Sequence, residues 1–140
     1  MITPSNDKNA IRDILRADSY IRSQGFKPEN VITTGANADI TNGGHPDKRI
    51  YIATGTPERS RSEIARNVVY DILITAPRTK AESADEVASQ IIALLESCNI
   101  YKGHVLYLLD PPMELTSPGL IYIVEMTFLC QSTVYNVIKK

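Results

Sequence analysis

The chain has 140 residues, 15 basic and 16 acidic side chains, a net charge of −1 and 43% apolar residues. That length suits one domain, residues 1–140, able to bury a core without disulfide staples, and the apolar share excludes wholesale disorder. A near-neutral balance speaks against a dedicated nucleic-acid binder, which carries a basic excess.

In chain order, residues 1–5 read as a loose N-terminal tail. Asn6 and Asp7 are both good caps for a first helix that points Ile11, Ile14, Leu15 and Ile21 inward and Arg12, Asp13, Arg16 and Arg22 outward. Gly25 is its natural stop, and Phe26 is expected to fold back onto the core. Val31-Ile32-Thr33-Thr34 reads as a short strand and Ile50-Tyr51-Ile52-Ala53 as a second. Between them, residues 35–49 form a polar, turn-rich loop. A second polar loop, 55–66, alternates Arg59, Arg61 and Arg66 with Ser60, Ser62 and Glu63. Both loops are long for a domain this size, and long loops tend to be functional.

A third strand spans about 67–76, where Tyr70-Asp71-Ile72-Leu73-Ile74-Thr75 has one wetter face, and Pro77 ends it. Thr79-Lys80-Ala81-Glu82 and Ser83-Ala84-Asp85-Glu86 both fit the capping-box pattern. They predict a second helix from Ser83 to Cys98 with Ala84, Val87, Ala88, Ile91, Leu94, Leu95 and Cys98 inward and Asn99 at its end. His104 to Leu109 is a fourth strand, ended by Asp110-Pro111-Pro112 because proline cannot donate to a ladder. After the turn Ser117-Pro118-Gly119, a fifth strand runs over 120–131. Leu120, Tyr122, Val124, Met126, Phe128 and Cys130 form its apolar stripe, with Glu125, Thr127 and Gln131 opposite. Residues 132–140 form a C-terminal arm that either extends this strand or pairs with a neighbouring chain. The expected fold class is α+β, a mainly antiparallel sheet of about five strands with two helices packed on it.

The chain carries little that looks catalytic. Its two cysteines, Cys98 and Cys130, sit where apolar faces are expected and read as reduced core thiols, with no Cys or His at metal-ligand spacing from either. His45, near Asp39 and Asp47, reads as part of a solvated turn. Gly35, Gly43, Gly44 and Gly55 do not form a phosphate-cradling loop, and no Gly-x-Ser-x-Gly nucleophile elbow is present. Asp71 and Glu125 would serve as paired acid/base carboxylates only if close and buried. No catalytic, cofactor or metal residue is expected. The candidate DNA-lumen or interface contacts are Lys48, Arg49, Arg59, Arg61 and Arg66, cations able to meet a phosphate backbone. Residues 1–7 show no positive cluster followed by an apolar run, and no stretch reaches the ~20 apolar residues of a membrane helix. A cytoplasmic protein with no membrane partner is therefore expected.

The order of elements resembles the small tail-terminator and tail-completion proteins of long-tailed bacteriophages, also described as minor tail or minor capsid components. The likeness covers residues 8–131. It runs through Val68-Val69-Tyr70-Asp71-Ile72-Leu73-Ile74, the helix 84–97, Val105-Leu106-Tyr107-Leu108 and Ile121-Tyr122-Ile123-Val124-Glu125-Met126-Thr127-Phe128. The stretch 35–49 departs from it in length. This resemblance implies a ring, commonly of about six subunits, that caps the tail tube and joins tail to head. Its partners would be further copies of itself, the tail tube protein and the head–tail connector, with DNA only passing through the lumen. It implies a virion-tail location, host cytoplasm during assembly, no cofactor and no enzymatic activity. Two other readings stay open: a head–tail neck protein, and a small ligand-binding or nucleic-acid-binding domain.

Overall fold

The structure, a computed structural model, describes residues 4–34, 47–55, 65–101, 103–115 and 119–133. Helix α1 (Pro4–Ala17) opens with a proline, whose missing N–H costs nothing there, and carries Asp7 in its first turn and Arg16 in its last, each charge suited to the helix dipole. It thus starts at Pro4, before the expected Asn6 or Asp7. The expected single helix is also divided. Asp18 adopts an extended backbone, and its Oδ2 accepts a 2.9 Å hydrogen bond from Ile21 N to cap a separate short helix, α2 (Ser19–Ser23). Gln90 Nε2 donates to the Asp18 carboxylate at 3.1 Å, so the break is anchored to the next long helix. Ile11, Leu15 and Ile21 are fully buried as the spacing predicts, whereas Ile14 is half-buried.

A 3₁₀ turn, Pro28–Asn30, leads into strand β1 (Val31–Thr34). Then follow β2 (Arg49–Thr54), β3 (Ala65–Pro77), helix α3 (Ala81–Leu95), β4 (Asn99–Tyr101), β5 (His104–Leu115) and β6 (Ile121–Thr133). The sheet order is β1-β2-β3-β6-β5-β4. Only β1 and β2 run parallel; every other neighbouring pair is antiparallel. The α+β expectation holds, with six strands and a third, short helix. Helices α1 and α3 cover one face. Beneath them lies a core of Ile50, Ile52, Tyr70, Ile72, Ile74, Met126 and Phe128 from the sheet and Ile11, Leu15, Val87, Ile91 and Leu95 from the helices.

Three local expectations need correction. First, neither capping box forms: α3 starts after Lys80, which makes no side-chain cap, and Ser83 Oγ instead donates to Lys80 O at 2.9 Å. The helix stops at Leu95, and Ser97 takes a left-handed φ of 61°, so Cys98 lies beyond the helix. Second, Asp110-Pro111-Pro112 do not end β5. The steps Leu108–Asp110 and Asp110–Met113 each carry one extra residue against β6, so both prolines sit in a bulge on an edge where no ladder donor is required. Third, the second face of the sheet is not uniformly wet. Tyr51, Leu73, Ile121 and Ile123 form a small buried cluster there, and Leu120, expected in the apolar stripe, is 68% exposed in the turn before β6. Among the described residues, no helix is long and apolar enough to cross a membrane.

Candidate functional site

Among the described residues, a cluster of polar groups lies inside the domain, where α1 crosses the sheet. Asp7 is 3% exposed. Its Oδ2 accepts a 2.7 Å hydrogen bond from Tyr70 Oη on β3, and its Oδ1 lies 3.1 Å from His104 Nδ1 at the start of β5. Cys130 on β6 completes the group: one ligand-capable atom from each of Asp7, His104 and Cys130 lies within 4.8 Å of the others. The register explains the meeting. β6 pairs with β3 through Cys130–Val68 and with β5 through Cys130–Leu106, placing the three strands side by side beneath the first turn of α1.

The environment suppresses the acidity of two of these groups. Burial, reinforced by the neighbouring Asp7 carboxylate, pushes the Cys130 thiol up to about 12. Burial and the hydrogen bond to Asp7 push the Tyr70 hydroxyl well above its ordinary range. A thiol pushed up in this way is a poor nucleophile. Cys130 is buried and Cys98 half-buried, and neither is in a disulfide. No local spacing betrays this group, because its members come from a helix and two strands far apart in the chain.

The carboxylates on the opposite face do approach one another. Asp71 on β3 and Asp110 on β5 both stand opposite Thr127 on β6. Thr127 Oγ1 donates to Asp71 Oδ1 at 2.9 Å. Glu125 is half-buried on the same face, and desolvation together with the charges of Asp71 and Asp110 raises its pKa. Gly55 backs onto this group: a Cβ there would stand 3.1 Å from Asp71 Oδ2.

Among the described residues, the candidate cations Lys48, Arg49 and Arg66 stand apart from one another. Lys48 Nζ donates to Gln24 O at 2.7 Å and lies 5.9 Å from the centre of the Phe26 ring, which clamps β2's entry to the end of α2. Arg49 pairs with Asp47 at 3.0 Å and reaches the Tyr51 hydroxyl at 3.5 Å. Arg49 stands opposite Thr75, near the end of β3, while Arg66 stands near its start, opposite Ser132. The two positions, 66 and 75, lie nine residue steps apart along β3, roughly 30 Å. Arg59, Arg61, His45 and the arm beyond Thr133 lie outside the described residues.

A polar groove of about 470 Å³ lies between α2 and α3, lined by Tyr20, Gln24, Thr79, Lys80, Glu82, Ser83 and Glu86. Tyr20 Oη donates to Glu86 Oε2 across it at 3.2 Å. Its lining is hydrophilic and solvated, without the apolar walls of an ordinary ligand pocket.

The outer edge of β5 is the other prominent surface. β4 covers it only as far as Val105. Leu106 N donates to Cys98 O at 3.0 Å, and Leu108 N donates to the Glu96 carboxylate. Beyond Leu108, no described strand pairs with this edge. Here Leu109 is 44% and Met113 61% exposed, with Tyr107 (40%) just before them. Pro111 and Pro112 deny this edge two N–H donors, a device that blocks open-ended strand addition while leaving side chains free to dock.

No family model matches the chain, and no curated protein does. Among solved structures, a chain from the virion of a native gene transfer agent particle superposes with a TM-score of 0.63, covering 90% of this chain and 93% of that one at 12% identity. At that identity the likeness shows a shared fold. A second solved chain, 15% identical and covering 94% of this chain and 96% of its own, reaches a TM-score of only 0.47, too low to carry an argument.

Proposed function

We propose that this protein is a structural component of a phage or prophage virion, a tail terminator whose copies form a ring that caps the tail tube and joins tail to head. The observation that carries this reading is the fold shared with a virion chain across nearly the whole length of both proteins. The site chemistry agrees. Burial pushes the Cys130 thiol away from the nucleophilic thiolate, and the polar groove is open to solvent. The reading therefore assigns the chain no enzymatic activity.

In the ring, the β5 edge from Tyr107 to Met113 meets the neighbouring copy, because a heterologous contact that closes on itself buries one such edge per subunit. The tail tube protein and the head–tail connector are the partners above and below, and DNA only passes through the lumen. Lys48, Arg49, Arg59, Arg61 and Arg66 are its proposed lumen or interface contacts. Lys48 and Arg49 would have to share the intrachain bonds they already make. Assembly takes place in the host cytoplasm and the product resides in the virion tail. A neck protein would share the ring and differ in its neighbours: it would bind the connector without binding the tube.

The test is mass in solution by light scattering over a wide concentration range, with negative-stain images of any large species. A ring of about six subunits with a hole that passes duplex DNA supports the reading. A closed two-fold dimer, or tight salt-dependent DNA binding by a monomer, overturns it.

A further inference from the structure

Asp7, His104 and Cys130 bring a carboxylate oxygen, an imidazole nitrogen and a sulfur to one buried point from α1, β5 and β6. We propose that these three side chains bind a single zinc ion, which staples the first turn of α1 to the centre of the sheet.

The donor set is the first argument. Thiolate, imidazole and carboxylate are zinc's ordinary ligands, and a soft sulfur beside an imidazole disfavours magnesium or calcium, which take oxygen. Geometry is the second. Tetrahedral zinc with bonds of about 2.0–2.3 Å holds its ligand atoms roughly 3.3–3.8 Å apart. The three donor atoms already lie within 4.8 Å of one another, so small side-chain adjustments close the site.

The third argument is how Asp7 is held. Its Oδ1 is buried and takes no well-directed hydrogen bond, although His104 Nδ1 is only 3.1 Å away. A buried carboxylate oxygen left without a hydrogen-bond donor next to a ring nitrogen is an electron pair available to an ion. Tyr70 Oη fixes the other oxygen at 2.7 Å, the outer-shell support that ligating carboxylates use. Three protein ligands leave the fourth place to a solvent molecule on the side where the His104 side chain keeps 13% of its surface exposed. Coordination requires the Cys130 thiolate, so binding releases the thiol proton to solvent. The ligands belong to three elements that meet only in the folded chain, so zinc affinity adds to folding stability. The competing reading is a metal-free buried Asp–His pair beside a neutral thiol.

The experiment uses the full chain, stripped with a chelator and then titrated with zinc against a chromophoric competitor, and separately with cobalt followed by absorption. One ion per chain, a sulfur-to-cobalt charge-transfer band and a raised thermal midpoint are expected. Cys130→Ser removes the band, His104→Asn weakens binding at least tenfold, and Cys98→Ser leaves both unchanged. Tyr70→Phe, which touches no ligand bond, weakens binding roughly ten- to hundredfold. No uptake by the unaltered chain, or uptake indifferent to Cys130→Ser, overturns the proposal. Should the Cys130 variant fail to fold, the cobalt spectra of the unaltered chain and Cys98→Ser decide: without a thiolate band in both, the site is not there.

Discussion

Tyr70 Oη donates a 2.7 Å hydrogen bond to Asp7 Oδ2, joining α1 to β3 across 63 positions of sequence. Both groups are buried, so neither has water as an alternative partner. Tyr70→Phe keeps the ring and leaves Asp7 Oδ2 without this donor. A buried acceptor of a charged group deprived of its donor costs about 1.5–3 kcal/mol. Urea unfolding in the presence of a chelator, which removes any contribution from metal, should show a loss in that range. A change below about 0.5 kcal/mol, the usual scatter of surface substitutions, would mean the contact carries little energy.

Gly25 ends α2 with φ at +91°, where a side chain is strained, and an added Cβ would meet the Lys48 side chain at 3.0 Å. Gly25→Ala should destabilise by roughly 1–2 kcal/mol through backbone strain alone. The Lys48 stem is flexible, but moving it breaks its bond to Gln24 O, which adds to the loss. Thermal unfolding of Gly25→Ala against Lys48→Met separates the two contributions.

Glu125 gives the fold a specific pH response. Its pKa is raised by desolvation and then by Asp71 and Asp110, so the folded state binds this proton more tightly than the unfolded chain does. Its stabilising contribution is therefore fully present below the ordinary glutamate range and is lost as pH rises through the raised value. Once ionised, the carboxylate disfavours the fold relative to its protonated form. Glu125→Gln should be more stable than the parent at neutral pH, and the difference should vanish in acid. Equal stability of the two chains at every pH would contradict the assignment.

The exposed side chains of the β5 edge predict a separation of assembly from folding. Leu109→Asp with Met113→Lys places charge at two solvated positions, so monomer stability should stay within about 0.5 kcal/mol. Self-association by light scattering should fall sharply. Unchanged assembly would move the subunit contact away from this edge.

The sequence by itself determined the elements with strong periodicity. In α3, Ala84, Val87, Ala88, Ile91 and Leu95 recur at helical spacing, and all five are buried. In β6, Val124, Met126, Phe128 and Cys130 alternate, and all four face the core. Periodicity was reliable there because burial on one face constrains every second or every third-to-fourth residue. It misled where one local signal had two uses. The run up to Gly25 looked like one helix and is broken by the Asp18 cap; Thr79 and Ser83 looked like caps and are not; Pro111 and Pro112 looked like a strand's end and occupy a bulge.

Only the tertiary structure decided the rest. The order β1-β2-β3-β6-β5-β4 puts the last long strand beside the third, a pairing no local pattern encodes. The β2–β3 pairing set Arg49 against the far end of β3 from Arg66, and the β3–β6 pairing set Asp71 and Glu125 on a common face. It also carried Cys130 beneath Asp7 and beside His104. Hydrophobic spacing reports which side of an element is buried; it holds no information on which distant polar group is buried against it, and that is settled by sheet register and helix docking.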